Sequence, residues 1–543
     1  MKHPLAHQLW KRGDVFVWIT GVTLAFSVIM VTMLVLCLLL NGLETFWPKT
    51  LYRFSLKEDK VALGQITGRE ATYIQGKAEE GTRYRVQLKQ ANRDVYGIDF
   101  IWVDEDQILD RKSPSQALVI ERREWGDFYG FIKEVQSGGE VIARGHAEGM
   151  AALDRLLPRI TGIWDRLERI EKNEIGAINY KLEKNRLKLR KLALKGINLG
   201  EQVAEIERKI AGLQEEYKNK EEGLVSLRAQ LAGNLVMTTA EGTEKVIPLN
   251  QVFRVYSPNT FGIFSKLRFF GGKIVDFISQ DPRESNTEGG VFPAIFGTVL
   301  MVFLMSLFAT PLGVLAGFYL REYAAQGFFV SMVRIAVNNL AGVPSIVFGV
   351  FGVGFFIYFI GGSIDKMFFA ESLPAPTFGT GGILWASLTM ALLTVPVVIV
   401  STEEGLASVP KGVREGSLAL GATKFETTMK VVLPAVSPSI LTGLILAMAR
   451  AAGEVAPLMI TGVVKMAPAL PIDGFWPFIH LDRKFMHLGF HIFDVGFQSP
   501  NVDAARAMVF ATTLLLILLV LLLNLAAIFL RNRIRRKLEV SAV

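Results

Sequence analysis

The chain has 543 residues, of which 50% are hydrophobic and 20% are charged, and its formal net charge is +8 at pH 7. The mean hydropathy of +0.34 is high for a soluble protein, so long apolar segments must alternate with ordinary polar sequence. The single cysteine, Cys37, excludes an intrachain disulfide, and no Cys/His cluster has the spacing of zinc ligands. No GxxxxGK[ST] loop occurs, which excludes a P-loop ATP site on this chain.

Six apolar segments are predicted to cross a membrane. Residues 15–43 carry no charge and are too long for the apolar region of a signal peptide, so we interpret them as an uncleaved first span. A later span, at about 440–463, is interrupted by Arg450 and Glu454. The other four runs are free of charge and exceed the roughly 20 residues that cross a bilayer; they are 289–320, 335–364, 372–402 and 507–530.

The basic residues predict the orientation of these spans. The segments on one side of the membrane hold 14 Lys and Arg, and the short loops on the other side hold 5. Because Lys and Arg accumulate in cytoplasmic loops, both termini are expected in the cytoplasm and residues 44–288 outside the cytoplasmic membrane. The cytoplasmic segments are 1–14, 321–334, 403–439 and the basic tail 531–543, and the short outside loops are 362–381 and 464–506.

The segment 44–288 is predicted to form an α+β domain outside the membrane. Residues 51–149 and 235–256 contain short apolar alternations separated by turn residues, which are typical of antiparallel β-strands. Residues 150–232 are charged and follow helical and heptad spacing, with a turn between Gly196 and Gly200, so we expect an antiparallel coiled-coil hairpin. This hairpin could be a docking arm for a partner, or it could pack on its own domain and cover the sheet.

The loop 403–439 is predicted to form two short helices joined by a glycine. Ser408 is expected to cap the first helix, and Gly421 to end it. Thr423 and Glu426 have the spacing of a capping box at the start of the second. Two prolines, at 434 and 438, are then expected to break the chain before span five. Such an elbow suits a soluble partner that grips it.

This loop resembles the cytoplasmic E-A-A-x3-G-x9-I-x-L-P pattern of ABC importer permeases. The spacing matches throughout, with Val431 in the isoleucine position and two small residues in place of the alanines. The resemblance implies that the elbow is the coupling helix that docks in a cleft of an ATPase subunit. The residues it assigns to this coupling are Glu415, Gly416, Ser417, Gly421, Leu433 and Pro434.

Longer strings, above all RAAGEVAPLM at 450–459, resemble the phosphate-specific permeases of the PstA type over about 281–535. The resemblance implies a type I ABC importer permease: an all-α membrane domain of six helices, here with the α+β domain inserted after the first helix. It implies a PstC-type permease partner, two PstB-type ATPase subunits and a periplasmic phosphate-binding protein. The chain is then a transporter subunit and not an enzyme, and ATP and Mg are bound by the partner subunits.

Arg450 and Glu454 are the main candidates for the translocation pathway. An arginine near mid-bilayer must face protein or a cavity, and a glutamate four residues later can neutralise it. A phosphate ion could compete for the planar guanidinium, which the family resemblance also places in transport; a fixed ion pair between helices is the alternative. Asn338 and Asn339 are weaker candidates, because amides at that depth often bond neighbouring helices.

Two other functions stay open on the residues alone. The cargo could be another oxyanion such as molybdate or sulfate, or the outside domain could make the chain a membrane-anchored sensor or tether. Nucleic acid is not an expected partner. No metal site is expected either, because the spacing of His480, His487 and His491 fits solvated loop histidines better.

Overall fold

The computed structural model describes residues 14–72, 83–196, 200–499 and 501–541. Within these ranges six helices are long and apolar enough to cross a membrane, which confirms the predicted number of spans. The first, α1 (Asp14–Glu44), has no charge inside it and packs against the last span. Thr45 at its end donates a hydrogen bond from Oγ1 to the carbonyl of Ala507. A side chain on Gly42 would lie 3.2 Å from the carbonyl of Phe510, so the two helices meet at a small residue.

An α+β region with two antiparallel sheets follows α1, as predicted. The first sheet has the order β4-β3-β2-β1-β5 and the second β10-β9-β7-β6-β11, with β8 paired to β7. The first sheet contains β1 (Tyr52–Leu56), β2 (Val61–Thr72), β3 (Arg83–Lys89), β4 (Phe100–Asp104) and β5 (Ile108–Lys112). The second contains β6 (Leu118–Arg122), β7 (Phe128–Ser137), β8 (Glu140–Arg144), β9 (Gly233–Thr238), β10 (Glu244–Pro248) and β11 (Val252–Tyr256).

The helical stretch between β8 and β9 forms an arm. Helix α2 (Gly145–Arg169) buries Leu153 and Leu167 against the second sheet and continues through a π-helical turn into α3 (Gly176–Leu194). Helix α4 (Gly200–Ala229) runs back along it, because Glu171 pairs with Arg228 and Glu174 with Lys220. Within the described residues of α3 and α4, the side chains that become fully buried are Ile178, Leu182 and Leu224. The arm therefore has a thin core and a long solvated surface.

The membrane domain begins after an amphipathic helix and a two-residue pairing of β12 (Pro282–Arg283) with β13 (Glu288–Gly289). Span four, Ile383–Ser408, is the most buried of the six spans, and we call it the central helix. Close crossings at glycine position it: side chains on Gly313 and Gly317 of span two would lie within 3 Å of Val398 and Thr402 of span four. The helices are α5 (Ile263–Ser279), α6 (Phe292–Phe318), α7 (Phe328–Leu340), α8 (Ser345–Phe368), α9 (Ile383–Ser408), α10 (Lys411–Ala419), α11 (Lys424–Gly453), α12 (Ala456–Thr461), α13 (Leu488–Phe493) and α14 (Val502–Ser541).

The ends of spans three and five differ from the predicted ones. Residues 335–340 belong to α7, a separate short helix, and span three is α8. Span five is α11, which runs through Pro434 and Pro438 without a break and ends at Gly453. Proline is tolerated there because Pro434 lies in the first turn after a π-helical segment, and neighbouring membrane helices can satisfy the freed carbonyls.

The buried histidines correct another expectation. His487 and His491 are not solvated: they are 0% and 2% exposed, because their segment folds back against span two, where the amide of Leu488 donates to Thr298 Oγ1. Burial lowers the pKa of His487 to about 3 and that of His491 to about 4, so both rings are neutral. His480 is also buried, with Nε2 2.9 Å from Asp473 Oδ1.

Glu288 lies between the α+β domain and span two, and its carboxyl group gives the fold a testable pH dependence. Burial, and secondly the charge of Asp127, raise its pKa to about 8, against the opposing charges of Lys89 and Arg283; Glu121 adds to the upward shift. The neutral carboxyl therefore stabilises the fold fully below about pH 4.5, the ordinary value, and this stability is lost as the pH rises to about 8.

We expect Glu288→Gln, which is neutral at every pH, to remove this loss. The variant should melt at a higher temperature than the wild type at pH 8 and at a similar temperature near pH 5. Thermal unfolding in detergent at both pH values measures this, with Glu124→Gln, an exposed neighbour, as the control. Melting curves of Glu288→Gln and wild type that shift in parallel with pH would exclude the assignment.

Candidate translocation and coupling sites

The helix of span five ends at Gly453, and the chain continues as a second, shorter helix. Arg450 lies in the last turn of α11, and Glu454, the first residue after the helix, has extended backbone with φ −81° and ψ 139°. The chain resumes as the short helix α12, which begins at Ala456. The prediction that Glu454 continues the helix of Arg450 is therefore wrong. The local sequence permits the break, because Gly453 is a weak helix residue and Pro457 is suited to a new first turn.

The packing of spans four and five gives the depth of this break. A side chain on Gly443 would contact Ser401, and one on Gly405 would contact Ser439, so the two helices run antiparallel in a fixed register. Following that register, Arg450 lies at the level of Thr394, near the middle of α9. The break therefore lies about halfway along the central helix.

Backbone outside a helix at this depth needs protein contact or a cavity. Glycines of span three supply the contact: a side chain on Gly349 would lie 2.8 Å from Cα of Pro457, and one on Gly352 would lie 3.1 Å from Cγ2 of Thr461, both residues of α12. Only glycine permits α12 to approach this closely. The half-helix ends that result resemble the arrangement in which discontinuous membrane helices present their ends to a solute.

Arg450 and Glu454 form an ion pair at a distance too long for a strong hydrogen bond. The distance from Nε of Arg450 to Oε1 of Glu454 is 3.5 Å, and their side chains are 34% and 24% exposed. Within the part of the chain that the structure describes, the guanidinium makes no hydrogen bond, so its five N–H donors remain available. The carboxylate balances the charge without occupying the donors. An oxyanion that approached Arg450 could take up two of them at once.

Asn338 and Asn339 are not brought to this pair. Both lie exposed on α7, whose Arg334 donates from Nε to Glu403 Oε1 at the far end of span four. They lie about one helical turn from that end, whereas Arg450 lies near its middle. A role for Asn338 and Asn339 in transport therefore stays a prediction, without support from a contact to Arg450 or Glu454.

The predicted elbow has the shape that its sequence indicates. Helix α10 ends at Ala419, and Gly421, two residues later, has a φ of +86°, in the left-handed region that favours glycine. Thr423 and Glu426 form the capping box: Thr423 Oγ1 accepts from the amide of Glu426, and Glu426 Oε2 accepts from the amide of Thr423 at 3.0 Å. Ser408 does not cap α10, because it ends α9 and donates to the carbonyl of Gly405.

The elbow presents an apolar tip to solvent. Leu420, directly before the turn, is 91% exposed, and Phe425, just after it, is 65% exposed. Around them Glu415 and Gly416 are exposed, whereas Ser417 lies inside the elbow with its Oγ 2.9 Å from Thr427 Oγ1. Leu433 and Pro434 lie partly buried in the first turn after the π-helical segment. An exposed apolar tip on a rigid turn is typical of a docking surface.

Arg414 ties the elbow to the ends of two spans, a link that the sequence analysis missed. Its guanidinium donates to Glu322 Oε1 at 2.9 Å, beyond the end of α6, and to the carbonyls of Leu406 and Val409 at the end of α9. Both side chains of the ion pair are mostly buried, at 21% and 14% exposed. Arg414 therefore connects the elbow directly to spans two and four. Glu322 and Arg414 are 92 residues apart, so spacing gave no signal of the pair.

We expect Arg414→Gln to reduce the amount of cargo moved per ATP about fivefold while ATP hydrolysis stays within about twofold of wild type. This corresponds to about 1 kcal/mol of lost coupling, the lower end of the roughly 1–3 kcal/mol by which two sites in a protein are usually coupled. The ratio of uptake to hydrolysis in proteoliposomes measures it. Lys411→Gln, at the exposed start of the same helix, is the matched control and should leave the ratio unchanged. An unchanged ratio in Arg414→Gln would show that the link transmits nothing.

Six helices long enough to cross a membrane, a charged pair at a break in span five and an exposed elbow after the end of span four are typical of a membrane permease. The chain belongs to the family of binding-protein-dependent transport system inner membrane components, whose sequence model matches residues 309–540. It is a permease subunit of an ABC importer and is not itself catalytic, and permeases of this family bind no cofactor. Importers of this kind work with ATPase subunits and a periplasmic binding protein.

Two relatives show the extent of the similarity. The probable ABC transporter permease protein YqgI of Bacillus subtilis is 32% identical over 287 residues, which are 52% of this chain and 91% of that protein. The phosphate transport system permease protein PstA of Yersinia pestis is 35% identical over 257 residues, covering 47% of this chain and 77% of that protein. A solved methionine ABC transporter, MetNI, aligns at 18% identity over 44% of this chain and 94% of that chain, with a TM-score of only 0.32, so the family assignment rests on sequence.

Proposed function

We propose that this permease carries inorganic phosphate across the bacterial inner membrane in an ATP-driven importer of the PstA type. The single observation that carries the proposal is the position of Arg450, level with the middle of the central helix. Its N–H donors are unbonded, and the carboxylate of Glu454 lies 3.5 Å away. Placing a guanidinium at that depth is costly even with a carboxylate nearby, so its presence favours a function that needs a cation there. The similarity to phosphate permeases such as PstA of Yersinia pestis supports phosphate as the anion.

The proposed complex contains a PstC-type permease, two PstB-type ATPase subunits that bind ATP and Mg, and a periplasmic phosphate-binding protein. Both termini lie in the cytoplasm and residues 44–288 in the periplasm. The ATPase would grip the elbow through the surface that includes Glu415, Gly416 and Gly421. Ser417, Leu433 and Pro434 hold the shape of the elbow. Arg450 and Glu454 would line the pathway, with Asn338 and Asn339 as weaker candidates.

Phosphate uptake by cells that lack their own phosphate importers tests the proposal. We expect expression of the complex to restore uptake of radiolabelled phosphate, and excess sulfate or molybdate to leave it unchanged. Restored import of sulfate or molybdate in place of phosphate would show that the fold is right and the cargo is wrong.

A further inference from the structure

One face of helix α3 carries a continuous row of lysines. Between positions 181 and 195 the chain has seven Lys and Arg and one acidic residue, Glu183. Five of the cations recur in steps of three and four residues, so at about 100° per residue they fall within an arc of about 80°. We call this row the lysine stripe; it consists of Lys181, Lys184, Lys188, Lys191 and Lys195, and it extends along about 21 Å of helix.

Contacts fix the stripe beside the outer loops of the membrane domain. Lys191 Nζ lies 2.9 Å from Glu371 Oε1, in the loop between spans three and four. On the same side of the helix, Tyr180 stacks on Phe475 at 5.6 Å and donates from its hydroxyl to the carbonyl of Trp476, in the loop that follows α12. The arm therefore lies across two loops at the end of the bundle where the outside domain is attached.

Most of the stripe is unpaired. Within the described residues, Lys181, Lys188 and Lys195 form no ion pair, and Lys184 has its ammonium 5.9 Å from the ring of Tyr180. All five lysines are exposed. Like charges three and four residues apart destabilise a helix, and the helix dipole favours cations only in the last turn. The adjacent helix α4 mixes both signs, so solubility does not require a single sign on α3.

The form of the stripe indicates what it binds. Its ammonium groups are spread along a line and do not converge on one point, so they suit an extended acidic surface better than a small oxyanion. The matched length of YqgI, 287 residues or 91% of that protein, leaves no room for a domain of this size. The stripe is therefore an addition to the permease core, at the end where a soluble cargo-delivering partner must meet it.

We propose that the lysine stripe is a docking surface for an acidic face of the importer's soluble binding protein. The stripe steers the binding protein towards the two outer loops that the arm touches, which raises the rate of productive encounter more than the strength of the final contact. The proposal depends on membership of the importer family and not on phosphate as the cargo.

The test is the concentration of binding protein that gives half-maximal stimulation of ATP hydrolysis by the complete complex in nanodiscs. The probe is the soluble binding protein of the same importer. The stripe variant combines Lys181→Gln, Lys184→Gln and Lys188→Gln. It keeps Lys191 and Lys195, whose charges both act on Glu371, so that the arm stays attached. The control variant also removes three exposed cations of the arm, by Arg190→Gln, Arg208→Gln and Lys218→Gln.

We expect the stripe variant to need about tenfold more binding protein at about 25 mM salt, and less than about twofold more at about 500 mM, where screening is strong. The maximal ATPase rate should not change, and the control variant should stay within about twofold of wild type. Equal responses of the two variants would overturn the proposal. So would a difference confined to nanodiscs with anionic lipid, because the stripe would then bind the membrane surface.

Discussion

Arg450→Gln is expected to reduce ATP-driven phosphate uptake by about 10- to 100-fold while the complex still assembles. Arg450 is at the end of the helix of span five, level with the middle of span four, and its N–H donors are unbonded. Removing it therefore removes the charged hydrogen bonds that an oxyanion would form there. Such bonds contribute about 1.5–3 kcal/mol each, which corresponds to the expected range. Initial uptake rates, normalised to purified complex, measure the effect.

Two further variants separate charge from position. Arg450→Lys keeps the charge and loses the planar fork, so it should retain an intermediate rate. Arg531→Gln removes another membrane-helix arginine, one that donates to Thr442 Oγ1, and should transport normally. Wild-type uptake by Arg450→Gln would mean that the pair with Glu454 only holds helices together.

The second large effect is expected at the tip of the elbow. Leu420→Asp combined with Phe425→Asp should weaken binding of the ATPase subunits by about 30-fold and abolish uptake. Both apolar side chains project from a turn that Gly421 and the capping box make rigid, and the exposed fraction of Leu420 is 91%. Central apolar residues of an interface contribute about 2 kcal/mol or more, which is about 30-fold in affinity.

Co-purification of the ATPase subunits with the permease measures this loss. Val225→Asp is the matched control, because Val225 is an exposed aliphatic residue on the outside arm, 62% exposed, where the ATPase cannot reach in the proposed topology. It should retain the ATPase subunits. Normal retention by the Leu420/Phe425 variant would place the docking surface elsewhere.

The sequence predicted the features that local chemistry determines. A charge-free run of suitable length has few options other than a span, and the Thr423–Glu426 box forms because both partners lie within one turn. Alternating apolar residues likewise gave the antiparallel strands.

What the sequence did not predict depends on contacts between distant segments. Span five was expected to continue past Arg450, but Gly349 and Gly352 of span three bring α12 close and favour the break. The apolar run before α8 did not show that Asn338 lies on a separate helix. His487 was expected in solvent because it lies in the loop predicted between spans five and six, whereas its segment packs against Thr298 of span two.

The residues of the candidate sites likewise differ in whether the sequence could reveal them. Arg450 and Glu454 were recognised because charges inside an apolar segment are conspicuous. Arg414 was not, because an arginine in a polar loop is ordinary until the fold places Glu322 beside it.

Uptake into proteoliposomes tests the central claim most directly. Vesicles that hold the purified complex would be supplied with ATP on the elbow side and with phosphate-loaded binding protein on the side of the outside domain. We predict accumulation of radiolabelled phosphate that requires ATP and is unaffected by excess sulfate or molybdate. Accumulation that proceeds without ATP, or that sulfate or molybdate abolishes, would contradict the account.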